Sequence, residues 1–265
     1  MQLANKNAVI YGGGGALGSA IAMAFAREGA QVFLAGRRRA PLESVADIIS
    51  GEGGVAYAAT VDALDRHSIG EHMDALVKKF GTIDISINAI GLFHIQGIPL
   101  VELSQEEFTY PIQAYTTSNF LTASAAARYM IRQRSGVLLT ISTPGSLLAD
   151  AVAGGFGVAC AAVEGLTRQL AGELGPYGVR AICLRPDAVP EASFNGSHSR
   201  EVFAHRARLM DITLEEMMAG MKDGALLQRS PTLEDVANAA VFMASEKAKA
   251  ITATVTNISC GSLVG

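Results

Sequence analysis

The chain has 265 residues, of which 49% are hydrophobic and 17% charged, which suits one large α/β domain with a full core. A net charge of −4 argues against nucleic-acid and anionic-membrane partners, and no apolar run approaches the roughly 18 residues of a membrane span. The three cysteines, Cys160, Cys183 and Cys260, are scattered without metal-ligand spacing, which predicts free thiols, a reducing cytoplasmic setting and no metal site.

The first residues enter an apolar run at 7–11 at once, an arrangement that leaves no room for a signal peptide. That run ends in Gly12-Gly13-Gly14-Gly15-Ala16-Leu17-Gly18 and passes into a helical segment at 16–28. Glycines permit a tight turn and close approach of a pyrophosphate to backbone N–H groups, and the helix start adds partial positive charge. Gly12, Gly14, Gly15, Leu17 and Gly18 are therefore candidate dinucleotide contacts. The plain alternative is a glycine-lined contact between helix and strand with no ligand.

The second strand, 31–35, exits into Gly36 and three arginines, Arg37, Arg38 and Arg39. A carboxylate at this exit would hold the ribose 2′-hydroxyl of NAD and repel the 2′-phosphate of NADP. Glycine followed by Arg37 predicts NADP(H), because a guanidinium suits phosphate. A solvated basic loop is the alternative. A helix at 41–50 and a strand at 55–59 come next, then Val61-Asp62, a helix at 67–79 and a strand at 83–87 ending in Asn88-Ala89-Ile90-Gly91. A long helix at 104–133, a strand at 137–141, a helix at 155–175 and a strand at 179–184 before Pro186 follow. A helix at 232–244 and a strand at 254–258 close the pattern.

Apolar strands alternating with helices predict a single-domain doubly wound Rossmann fold over residues 1–265, with about seven mostly parallel strands and helices on both faces. The exception is 187–230, polar and methionine-rich, which reads either as a substrate lid or as a peripheral helical insertion. Met210, Met217, Met218 and Met221 within it would line an adaptable pocket or form plain helix core.

These motifs together resemble the short-chain dehydrogenases/reductases over about residues 5–262, and most closely at 164–180. Gly12 and Gly18 match the family's glycine fingerprint, while Ala16 replaces its middle glycine and Tyr11 its threonine. Asp62 matches the residue that meets the adenine amino group. Asn88 and Gly91 keep the Asn-Asn-Ala-Gly box, with Ala89 in place of the second asparagine. The resemblance implies strand order 3-2-1-4-5-6-7, a small-molecule substrate, and a homotetramer or homodimer.

The family's reaction centre is rewritten. Its Asn, Ser, Tyr and Lys positions hold Tyr115, Thr143, Phe156 and Cys160, and residues 80–221 contain no lysine. Its Pro-Gly-x-x-x-Thr reads Pro186-Asp187 through Glu191, which predicts two new acids beside the nicotinamide. Phenylalanine cannot donate a proton, and losing a general acid costs about 10²–10⁴ in rate. Thr143 and Tyr115 remain as candidate catalytic groups, and Tyr115 is either a relocated acid or a ring packed on Phe156. Cys160 reads as a structural buried thiol. His94 is a candidate acid or base or a surface-loop residue, and His198 and His205 are expected to face solvent. Three functions stay open: an NADP(H)-dependent oxidoreductase without the usual donor, a non-redox isomerase, lyase or cyclase, and a catalytically silent nucleotide-binding subunit.

Overall fold

Every residue of β1 (Asn7–Tyr11) is buried, because this strand lies at the centre of a sheet covered on both faces. The computed structural model describes residues 1–149, 153–195 and 197–264. Among them, seven strands form one sheet in the order 3-2-1-4-5-6-7. The others are β2 (Gln31–Gly36), β3 (Val55–Thr60), β4 (Ile85–Asn88), β5 (Gly136–Ile141), β6 (Val179–Pro186) and β7 (Val255–Ile258). All six neighbouring pairs are parallel, so the sheet is wholly rather than mostly parallel.

Period-two alternation along the strands builds a core on each face. Ala8, Ile10, Val32, Leu34, Ile85 and Ile87 point to one side, where α1 (Ala16–Arg27), α2 (Arg39–Gly51) and α9 (Leu233–Ala244) pack. Val9, Tyr11, Phe33, Leu138 and Ala181 point to the other, beneath α3 (Arg66–Phe80), α4 (Gln105–Gln133) and α5 (Gly154–Leu174). A capping box of Ser104 and Glu107 starts α4. Helices α4 and α5 meet so closely that a Cβ on Gly155 would lie 2.0 Å from the carbonyl oxygen of Phe108. No helix among the described residues is long and apolar enough to cross a membrane.

Among its described residues the segment 187–230 contains three short helices, α6 (Pro190–Phe194), α7 (Ser199–Leu209) and α8 (Leu214–Gly220). It carries its own small core of Ala207, Leu214, Met217 and Met218. Met217 and Met218 thus follow the plain core reading, Met210 is exposed, and Met221 reaches the cavity described next.

Candidate active site

A cavity of about 1050 Å³ opens at the carboxyl ends of the strands, where such sheets bind ligands. One end is built by the turn after β1. Gly12 has φ +80°, and a Cβ there would lie 2.6 Å from the carbonyl oxygen of Ala89. A Cβ on Gly18 would lie 2.2 Å from the carbonyl oxygen of Gly12. Only glycine lets the turn close, and it leaves Gly15 as the N-cap of α1 without any side-chain cap. The first N–H groups of α1 therefore keep their capacity for an anion, and the cradle fits a pyrophosphate. Gly12, Gly14, Gly15 and Leu17 line the cavity. Gly18 stands behind them as a packing residue.

Arg37, Arg38 and Asp62 line the same end. Arg39 is held by Glu43 at 2.7 Å, whereas among the described residues Arg37 and Arg38 make no ion pair. Asp62 accepts a hydrogen bond from the Leu64 amide at 3.0 Å. Asn88 is buried and does not reach the cavity. It donates to Thr122 Oγ1 at 3.2 Å and accepts from the Ile90 amide at 3.1 Å, so it shapes the segment that places Gly91.

The other end gathers Tyr115, Thr143, Phe156, Cys160 and Pro186, as the spacing predicts, together with His94 and His198. Thr143 Oγ1 lies 3.4 Å from Cys160 Sγ. Burial pushes the Cys160 thiol up to about 11, which makes it a poor nucleophile and fits a structural role. Tyr115 turns its edge to Phe156, with ring centroids 5.4 Å apart. Its hydroxyl donates to the Leu92 carbonyl at 3.2 Å and accepts from the Leu92 amide at 3.0 Å. Burial also holds its phenol well above the usual range.

His94 is a buried residue rather than a surface one, with only 4% exposed. Its ring stacks on Phe156, and its Nδ1 lies 2.8 Å from the Leu92 carbonyl. A carbonyl can only accept, so Nδ1 carries the proton and Nε2 accepts from Gln96 at 2.9 Å. Burial lowers its pKa to about 4, so it is neutral near pH 7.

Three expectations are corrected here, those for His198, His205 and Glu191, while Asp187 keeps its expected place. His198 does not face solvent; it packs into the cavity against Gly91. The Nε2 of His205 is likewise buried. Glu191 does not enter the nicotinamide end, because its carboxylate accepts from the Leu233 amide at 3.0 Å at the start of α9. Asp187 does line the cavity, but it accepts from the Ala188 amide at 2.7 Å and from the Ser262 hydroxyl.

The sequence reading missed a buried polar network one helical turn from Cys160. Glu164 and Arg185 form a two-pronged pair at 2.8 and 2.7 Å. Ser142 donates to Glu164 at 2.7 Å, and Arg185 donates to Asn257 at 2.9 Å. Burial works to raise the Glu164 carboxyl, but bonds from Arg185 and Ser142 outweigh it, and the net shift is downward. The network ties α5 to the ends of β5, β6 and β7. Two charged residues at buried positions within a helix and a strand were the available signal.

Comparison with known proteins agrees with this geometry. A family model described as enoyl-(acyl carrier protein) reductase matches residues 14–262. The chain is 29% identical over 253 residues to (+)-borneol dehydrogenase 2 of Salvia officinalis, covering 94% of this chain and 86% of that protein. It is 30% identical over 251 residues to secoisolariciresinol dehydrogenase of Forsythia intermedia, covering 94% and 85%. The crystal structure of an NAD⁺-bound xylitol dehydrogenase shares the fold with a TM-score of 0.89 at 20% identity, covering 98% of this chain and 100% of that one. The chain belongs to the short-chain dehydrogenase/reductase family, whose members bind a nicotinamide cofactor and act on small molecules.

Proposed function

We propose that this protein is an NADP(H)-dependent oxidoreductase for a small molecule, working without the family's tyrosine donor. The observation that carries the reading is one cavity that joins Arg37, free of any ion pair among the described residues, to Thr143 and Phe156 past an uncapped helix start. Gly12, Gly14, Gly15 and Leu17 would hold the pyrophosphate, Arg37 the 2′-phosphate and Asp62 the adenine. Gly91 and Pro186 would flank the nicotinamide side, with Gly18 and Asn88 as supports behind the wall.

When bound, the cofactor supplies hydride transfer. Thr143 turns its hydroxyl from the weak contact with Cys160 to hydrogen-bond the substrate oxygen. Of the two readings of Tyr115, relocated acid or packed ring, the second is favoured and makes it a positioning residue, since Leu92 engages its hydroxyl as both donor and acceptor. Residues 187–230 act as a lid, supported by the cavity contacts of Val189, Val202, Phe203 and Met221. The whole chain forms one domain and assembles as a homodimer or homotetramer in the cytoplasm. The non-redox reading loses one of its two motivating acids, because Glu191 is engaged at α9. Calorimetric titration with NADPH, NADP⁺, NADH and NAD⁺ tests the proposal: measurable binding of the phosphorylated pair supports it, and no binding of any of the four removes it.

A further inference from the structure

Resting on the NADP(H) reading, we infer that His198 is a ligand-selecting residue: in this lid position the cleft takes a phosphoadenosine nucleotide but excludes the nicotinamide half of the same dinucleotide. Three observations carry this. First, a Cβ built on Gly91 would lie only 2.0 Å from both Cε1 and Nδ1 of His198, so the imidazole edge sits directly against the Gly91 backbone. Second, Gly91 lines the same cavity as Arg37, Thr143 and Phe156. The Gly12 turn touches the neighbouring Ala89, and the cavity runs from there to Thr143 and Phe156. A dinucleotide anchored at Arg37 whose far end reaches Thr143 would run along the wall that Gly91 and His198 share. Third, His198 lies beside the stacked His94 and Phe156 rings that line the far end of the cavity. Its centroid lies 6.1 Å from His94, and His94 lies 4.1 Å from Phe156. A planar nicotinamide and its ribose would press against these rings.

The local bonding suits such a plug. The Ser199 amide donates to Ser197 Oγ at 3.2 Å, which leaves the Ser197 hydroxyl to donate to His198 Nδ1 at 3.3 Å. The ring is thus oriented by its own loop, and among the described residues it makes no bond to the cleft wall that would break when the lid shifts. Burial beside His94 keeps it neutral, with a pKa lowered to about 4. Full dinucleotide binding selects the lid position in which His198 has left Gly91, and its apparent affinity is reduced by the population of that position. An adenosine 2′,5′-bisphosphate fragment, which lacks the nicotinamide half, carries no such penalty.

The test titrates the full chain with adenosine 2′,5′-bisphosphate and with NADPH, in the parent and in His198→Ala. The expected result is unchanged affinity for the bisphosphate and NADPH binding tightened by about tenfold or more. A second measurement on the parent follows the His198 imidazole by NMR, where NADPH should shift its resonances strongly and the bisphosphate should not. If the bisphosphate binds but His198→Ala leaves NADPH unchanged or weaker, the inference is overturned while the NADP(H) reading stands. Equal tightening of both ligands would also overturn it, because the lid would then act on the whole cleft. If neither ligand binds either protein, the NADP(H) reading itself falls.

Discussion

His94 lies flat on Phe156, with ring centroids 4.1 Å apart and planes 14° from parallel. The position that carries the family's proton donor is therefore covered on one face by an imidazole and lies in an edge-type contact with Tyr115. The change at Phe156 has been absorbed into a packed cluster.

Restoring the family pair is accordingly expected to fail. Phe156→Tyr with Cys160→Lys should give little or no ketone reduction. The new hydroxyl would enter a ring stack, and the new ammonium a site where Cys160 is only 4% exposed. NADPH oxidation with a panel of small ketones checks this, alongside a triple variant that adds Tyr115→Asn. Strong activity in the double variant alone would mean that the rest of the site is intact.

Tyr115→Phe should destabilise the protein by about 1–3 kcal/mol, since it strips a buried amide of its acceptor. The Leu92 amide should lose protection in hydrogen exchange ahead of the amides of α4. Unchanged stability and exchange would show that the bond to Leu92 contributes nothing.

Glu164→Gln should cost about 3–5 kcal/mol in denaturant unfolding, because it leaves the Arg185 guanidinium buried without its counter-charge. The carboxyl is held below its ordinary value, so the contribution of the pair is complete above the unfolded carboxylate range and is lost as pH falls through the folded value. A loss below about 1 kcal/mol, typical of an exposed pair, would contradict this.

Stability should also fall in mild acid through the histidines. Burial holds His72, His94 and His198 near 4, against 6.5 for a free imidazole. Between those values the unfolded chain binds protons that the folded chain refuses, so stability is complete above about pH 6.5 and declines toward pH 4. Denaturant midpoints measured across this range should drop, and His72→Phe should flatten the drop. A flat profile in the parent would contradict the buried neutral state.

The fold was legible because its signals are local. The strand predicted at 7–11 matches β1, and the helix predicted at 104–133 differs from α4 by one residue. The strand predicted at 83–87 came out as Ile85–Asn88, because pairing with β1 and β5 begins at Ile85 and continues on β1 to Asn88. The glycine turn was legible for the same reason, since its glycines lie within seven consecutive residues between a strand and a helix, although part of their steric need comes from Ala89 across the sheet. What could not be read was set by tertiary neighbours. His94 and His198 are far apart in the chain, and only the lid brings them to one cavity wall. Glu191 looked like a site acid by spacing, yet the nearby start of α9 offered its carboxylate an amide. Glu164 and Arg185 meet only once α5 lies across the sheet.

The account rests most directly on Arg37 as the residue that selects a 2′-phosphate. The decisive measurement is the affinity of the parent and of Arg37→Ala for NADPH and for NADH. The account predicts that the parent binds NADPH more tightly, and that the substitution weakens NADPH by about tenfold, the loss of one charge-assisted contact, while NADH stays nearly unchanged. Equal affinity of the parent for both cofactors, or an equal loss of both in Arg37→Ala, would contradict it.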